Sequence, residues 1–178
     1  SRLLIGVAGK FGSLDEPSPT GELLSMNAES GRTELLVGYR VTSNGPGTRI
    51  QPKKVEAIAA FLSDDLPDDD RNVVIAVWPF SEDPYTRAER LDVQSGKRAT
   101  VARSPVRRAD FTTDAQGQVR FAHGAGTDNV NKLYYRAANG TDWALVNDES
   151  VSARIETAIG FSEDGQLAYL KSEQSSGP

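Results

Sequence analysis

The chain has 178 residues, no cysteine, a single histidine and a net charge of −5. That length suits about one domain, large enough to bury a core without covalent staples. The missing thiols exclude disulfides, thiolate metal sites and cysteine catalysis, and the acidic balance speaks against a phosphate-binding surface, which needs clustered Lys and Arg.

In chain order, β-branched and aromatic runs bounded by turn residues predict strands throughout. A first, incomplete group lies at 3–8, 22–26 and 32–37. A Pro- and Gly-rich stretch over 41–54 reads as a long loop, and 52–60 is the one short helical candidate. The second group, at 57–62, 73–78, 86–93 and 97–102, contains the unbroken apolar run Val73-Val74-Ile75-Ala76-Val77-Trp78. Such a run suits a strand covered on both faces. A third group occupies 109–113, 119–123, 132–136 and 143–147, and a fourth supplies strands at 156–161 and 166–171.

The unit recurs. Residues 111–121 (FTTDAQGQVRF) and 161–170 (FSEDGQLAYL) share one plan, in which an aromatic residue, a polar run and a Gly-Gln turn precede a half-apolar strand. The turn markers Asn72, Gln118 and Gln166 stand 46 and 48 residues apart. Hairpin tips ending in Gly31, Gly96 and Gly140 stand 65 and 44 apart, the longer gap holding the 41–54 insertion. Periods in the mid-forties with four short strands suit β-propeller blades, whereas helical repeats would show apolar residues at three-to-four spacing.

The expected fold is therefore all-β, a partial β-propeller of about three and a half four-stranded blades, open rather than closed. Residues 1–178 are expected to form a single segment: an incomplete blade 1–40, the loop 41–54, blades 55–104 and 105–149, and a half blade 150–178. Closed propellers have about 4 to 8 blades. An arc of this size exposes strand edges, so self-association through open blade edges is one expected mode of partnership.

Residues that carry chemistry are sparse. The nucleophile elbow G-x-S-x-G is absent, and the nearest string, Gly160 to Gly165, has one residue too many and sits in the repeated turn. His123 precedes Gly124-Ala125-Gly126, which resembles an esterase oxyanion segment but reads as a strand end and loop. Asp64, Asp65, Asp68, Asp69 and Asp70 lack the spacing of a calcium loop and read as a solvated turn. Neither Gly45-Pro46-Gly47 nor Gly124-Ala125-Gly126 has the third Gly of a dinucleotide site. Asn139-Gly140-Thr141 matches a glycosylation acceptor and reads as a hairpin turn with both central residues at positive φ. Trp78, Trp143, Tyr134 and Tyr135 read as wedge fillers between sheets. No residue is assigned to catalysis, to a cofactor or to a metal, and no cofactor is expected. No apolar stretch approaches the roughly 20 residues of a membrane span, and Ser1-Arg2 shows no leader. Neither nucleic acid nor membrane is expected as a partner, and a periplasmic or cytoplasmic place in a bacterium fits equally.

Residues 161–172, FSEDGQLAYLKS, resemble the aromatic-Ser-Pro-Asp-Gly turn and following strand of Tol-type and peptidase propellers, with Glu163 where the Pro would stand. With AERLDVQSGKRATVA at 88–102 and KLYYRAANGTDWALV at 132–146, the chain resembles the N-terminal propeller of the prolyl oligopeptidase family, in particular bacterial dipeptidyl aminopeptidases and acylaminoacyl-peptidase-like members. The resemblance implies a C-terminal α/β-hydrolase domain as partner, a peptide substrate, and a propeller that gates access without catalysing. It carries the amine-binding acidic pair of the dipeptidyl branch onto no particular Glu here. A stand-alone cell-envelope propeller acting as a protein-binding module is the alternative, because fold does not determine function.

Overall fold

Alternation of apolar and polar residues forces each strand to bury one face, and an unbroken apolar strand to bury both. The computed structural model describes residues 1–10, 12–13, 16–39 and 56–175. A first antiparallel sheet, in the order β1-β2-β3, is built from β1 (Arg2–Gly9), β2 (Ser18–Asn27) and β3 (Thr33–Val37). The second joins β4 (Ile58–Asp64), β5 (Asn72–Pro79), β6 (Tyr85–Asp92) and β7 (Arg98–Arg107) as a four-stranded meander. The third repeats that plan with β8 (Asp110–Thr113), β9 (Val119–Ala125), β10 (Asn131–Tyr135) and β11 (Ala144–Asp148). After the single-turn helix α1 (Glu149–Ser152), β12 (Arg154–Phe161) and β13 (Ala168–Gln174) pair as a two-stranded fourth sheet.

None of the four sheets closes on itself. Each packs on the next: β2 against β4, β7 against β9, β10 and β11 against β12. The opening strands β4, β8 and β12 lie side by side. The result is an open, propeller-like all-β arc.

The period of two in β5 explains the stacking. Val73, Ile75 and Val77 enter one core with Leu23, Leu36, Val37 and Leu91, between the first and second sheets. Val74 and Ala76 turn the other way into a second core with Ala88, Ala102, Phe111, Val119 and Ala122, between the second and third sheets. Burying a side chain such as Ile75 completely contributes about 2–3 kcal/mol. The second core is rich in alanine, which lets the sheets approach closely. At Gly124 a Cβ would stand 2.4 Å from the Arg107 carbonyl oxygen and 2.9 Å from Ala109 Cα.

Two hairpin tips are the same object built twice. In 27–32 and 92–97 the first residue, Asn27 or Asp92, accepts the N–H of the Gly four residues on, at 2.9 and 2.8 Å. Its Oδ1 accepts from Glu29 and Ser30 in one tip, and from Gln94 and Ser95 in the other. Gly31 and Gly96 both sit at positive φ, 68° and 70°. The third tip differs. Its turn closes from Gly140 N–H to Ala137 O at 3.0 Å, and Asn139 alone is left-handed, at φ 56°. The expectation of two positive-φ residues in Asn139-Gly140 is corrected accordingly, because a turn starting at Ala137 demands the left-handed conformation only at Asn139.

The helical candidate at 52–60 is also corrected: Ile58, Ala59 and Ala60 open β4, where Ile58 and Ala60 are core residues. Its residues 52–55, like the whole of the expected loop at 41–54, lie outside the described residues.

Candidate functional site

The loops that leave β4 and β8 converge with the end of β12 around a cleft of about 990 Å³. That volume matches pockets for small ligands, which span about 300–1,000 Å³. Side chains fasten the three opening strands to one another at its walls. Thr113 Oγ1 donates to Asp64 Oδ2, and Thr112 Oγ1 donates to the Ala158 carbonyl at 3.0 Å. Asp64 also accepts the Leu66 N–H at 2.8 Å, which directs Leu66 beneath Gly117. A Cβ at Gly117 would lie 2.2 Å from Leu66 Cδ2, and its φ of 71° is left-handed.

The lining is acidic: Asp64, Asp68, Asp69, Asp70 and Asp114 against the guanidinium of Arg90. These carboxylates differ in their freedom to act. Asp69 accepts the N–H groups of Arg71 and Asn72 at 3.0 and 2.9 Å and pairs with Arg90. The side-chain amide of Asn72, then the Arg71 N–H and Arg90, hold its carboxyl well below the usual carboxylate range. Asp114 is buried and accepts from Gln116, Gln118 and, at 2.8 Å, Arg120. Arg120 in turn donates to Tyr135 Oη at 2.5 Å and lies over the rings of Tyr135 and Phe161. Asp68 and Asp70 stand exposed at the rim. The arrangement can hold a cationic or hydrogen-bond-donating ligand through fixed acceptors. Among the described residues, no group of three or more His, Asp or Glu is placed to hold a metal ion.

His123 belongs to a different neighbourhood. It lies on β9 opposite Asp110 of β8 and Leu133 of β10. Burial pulls its pKa down, while the charge of Asp110 and a hydrogen bond with Asn131 oppose that shift. Burial likewise pushes the Asp110 carboxyl up, with His123 opposing. The imidazole Nε2 is enclosed without a hydrogen-bond partner among the described residues. Gly124 and Ala125, which follow it, are paired in the ladder with Lys132 and Asn131, so this segment is strand. Ser162 is equally structural, donating to Asp164 at 2.6 Å and accepting from Leu167 at 2.9 Å.

The aromatic residues behave as fillers. Trp78, Tyr134 and Trp143 pack on the second core, and Trp143 Nε1 donates to the Arg103 carbonyl at 2.9 Å. Sequence reasoning singled out the acidic run but not its cleft partners Thr113, Asp114 and Arg90. The Thr113–Asp64 contact joins residues 49 positions apart, a separation that local pattern does not register. The repeated Asp/Ser-x-x-Gly turn at 114–117 and 162–165 was the available signal. No family model, curated protein or solved structure matches the chain.

Proposed function

We propose that the chain is a non-catalytic propeller segment of a prolyl-oligopeptidase-family serine peptidase, gating access and helping to bind the peptide substrate. The observation that carries this reading is the cleft where β4, β8 and β12 meet, with its acceptor-lined walls. It is large enough for a few residues of peptide. Its carboxylates suit the protonated amine of a peptide N-terminus, and the same negative field repels acidic segments. The nearest approach to a catalytic base, His123, has its Nε2 enclosed and a cross-strand neighbour in Asp110. That environment suits a packed strand position.

A second reading, a stand-alone cell-envelope module that binds proteins, draws on Ile159 of β12, Tyr169 of β13 and Leu167 just before β13, exposed at 67%, 51% and 61%.

One titration separates them. Short peptides with a free amine are expected to bind the chain and to weaken as salt rises, while N-acetylated versions bind less. Asp68→Asn with Asp70→Asn is expected to weaken the free-amine peptide about tenfold, equivalent to about 1.4 kcal/mol. Aminoacyl and dipeptidyl chromogenic substrates are expected to remain uncleaved. Turnover that a His123 substitution abolishes would refute the non-catalytic role, and indifference to the peptide amine would favour the protein-binding module.

A further inference from the structure

Among the asparagines that the structure describes, all but one have the side-chain amide tied. Asn27 Oδ1 accepts the N–H groups of Glu29 and Ser30, and Asn129 Oδ1 accepts from Arg108 at 3.0 Å. Asn72 Nδ2 donates to Asp69, Asn131 Nδ2 to Glu149 and Asn147 Nδ2 to the Arg154 carbonyl. Asn139 is the exception. Its side chain makes no hydrogen bond among the described residues, and only its main-chain N–H is engaged, by Gln118 Oε1 at 2.8 Å.

Asn139 is also exposed, at the tip between β10 and β11, and Gly140 follows it. The other described asparagines precede Ala28, Val73, Val130, Lys132 and Asp148. A main-chain nitrogen reaches the side-chain carbonyl carbon of a preceding asparagine most readily when no Cβ stands beside it, which glycine alone provides. One contact opposes the approach, the bond from Gly140 N–H to Ala137 O at 3.0 Å. A single turn bond at an exposed tip opens far more readily than a ladder bond inside a sheet.

We infer that Asn139 is a site of spontaneous, base-promoted deamidation, with water as the only other reactant. Gly140 N gives up its proton and bonds to Asn139 Cγ, and the Cγ–Nδ2 bond breaks. Ammonia carries off the amide nitrogen and that proton, leaving a five-membered succinimide. Water then opens the ring. Hydrolysis at Cγ leaves aspartate, and hydrolysis at the Asn139 main-chain carbonyl carbon leaves isoaspartate, whose main chain is longer by one methylene. Either product adds one negative charge to the net −5. The added methylene lies beside the bond to Gln118, whose own N–H donates to Asp114 of the cleft wall at 2.9 Å.

Storage of the folded chain in mildly alkaline buffer, then tryptic digestion and mass spectrometry against a zero-time blank, tests the inference. Peptide 137–154 is expected to show the amide-to-acid mass shift at residue 139 before it appears at Asn27, Asn72, Asn129, Asn131 or Asn147, and to become a substrate for isoaspartate-specific methylation. Asn44, in peptide 41–49, precedes Gly45 outside the described residues and is read separately. Thr141→Ala, which removes the glycosylation acceptor pattern, is expected to leave the conversion unchanged. Gly140→Ala, whose methyl would stand 3.1 Å from Ala137 O, is expected to slow it several-fold. An Asn139 that stays intact while another described asparagine converts would overturn the inference, as would a Gly140→Ala chain that converts as fast as the native one.

Discussion

The strands β5 and β13 hold the same second place in their sheets, yet five consecutive residues of β5 are buried while β13 is exposed from end to end. Hydrophobicity alone does not account for the difference, since Tyr169 and Leu170 of β13 are apolar enough to be buried. Position in the arc does. The second sheet lies between two others and owns half of two cores, whereas the fourth, among the described residues, has a neighbour on one side only. Stability in a stacked array of this kind resides in the contacts between neighbouring sheets as much as within each one.

That contrast can be broken by substitution. Ile75→Ala, at a fully buried position, is expected to cost about 4 kcal/mol in urea unfolding. A cost below that of an exposed-strand truncation would mean that the middle of the arc is no better packed than its end. Arg120→Leu leaves the buried carboxylate of Asp114 without its cation and is expected to cost about 3 kcal/mol. Gly31→Ala probes a turn where nothing lies within 4 Å of the added methyl. Its left-handed φ alone sets a penalty of about 1 kcal/mol, and Gly96→Ala in the twin turn is expected to match it. Leu170→Ala on β13, at 40% exposure, is expected to shift stability by about 0.5 kcal/mol or less in dilute protein.

The smallest effect is one of slope. His123 has its pKa lowered by burial, so the unfolded chain binds more protons than the folded one just below the ordinary histidine value. Stability is then complete above about pH 6.5 and declines as pH falls through that value. His123→Gln is expected to flatten the decline between pH 7 and 5.5, read as the urea midpoint at each pH. An unchanged slope would place the proton uptake elsewhere in the middle sheets.

Much of this architecture was legible because period-two patterning and turn residues act locally. The run at 73–78 announced a strand covered on both faces, and β5 is that strand. The errors have physical reasons. The expected strand 97–102 stops short of β7, which runs on through Pro105 to Arg107. Proline is tolerated there because an outermost strand leaves one side of its ladder unpaired. The candidate helix at 52–60 fell to core burial of Ile58 and Ala60, which overrides weak local propensity. The cleft was not legible at all. Asp64 and Thr113 acquire their relation only when β4 and β8 come side by side, and Arg120 becomes a buried cation only once Asp114, Tyr135 and Phe161 surround it.

Thr112 and Thr113 are adjacent on β8, so strand alternation turns them to opposite sides, one reaching Ala158 on β12 and the other Asp64 on β4. The shortest strand of the arc thus acts as a rivet through three layers of chain. Each hydroxyl adds a directional bond to contacts that are otherwise apolar or backbone, so the pair fixes the angle at which neighbouring sheets meet as well as their distance.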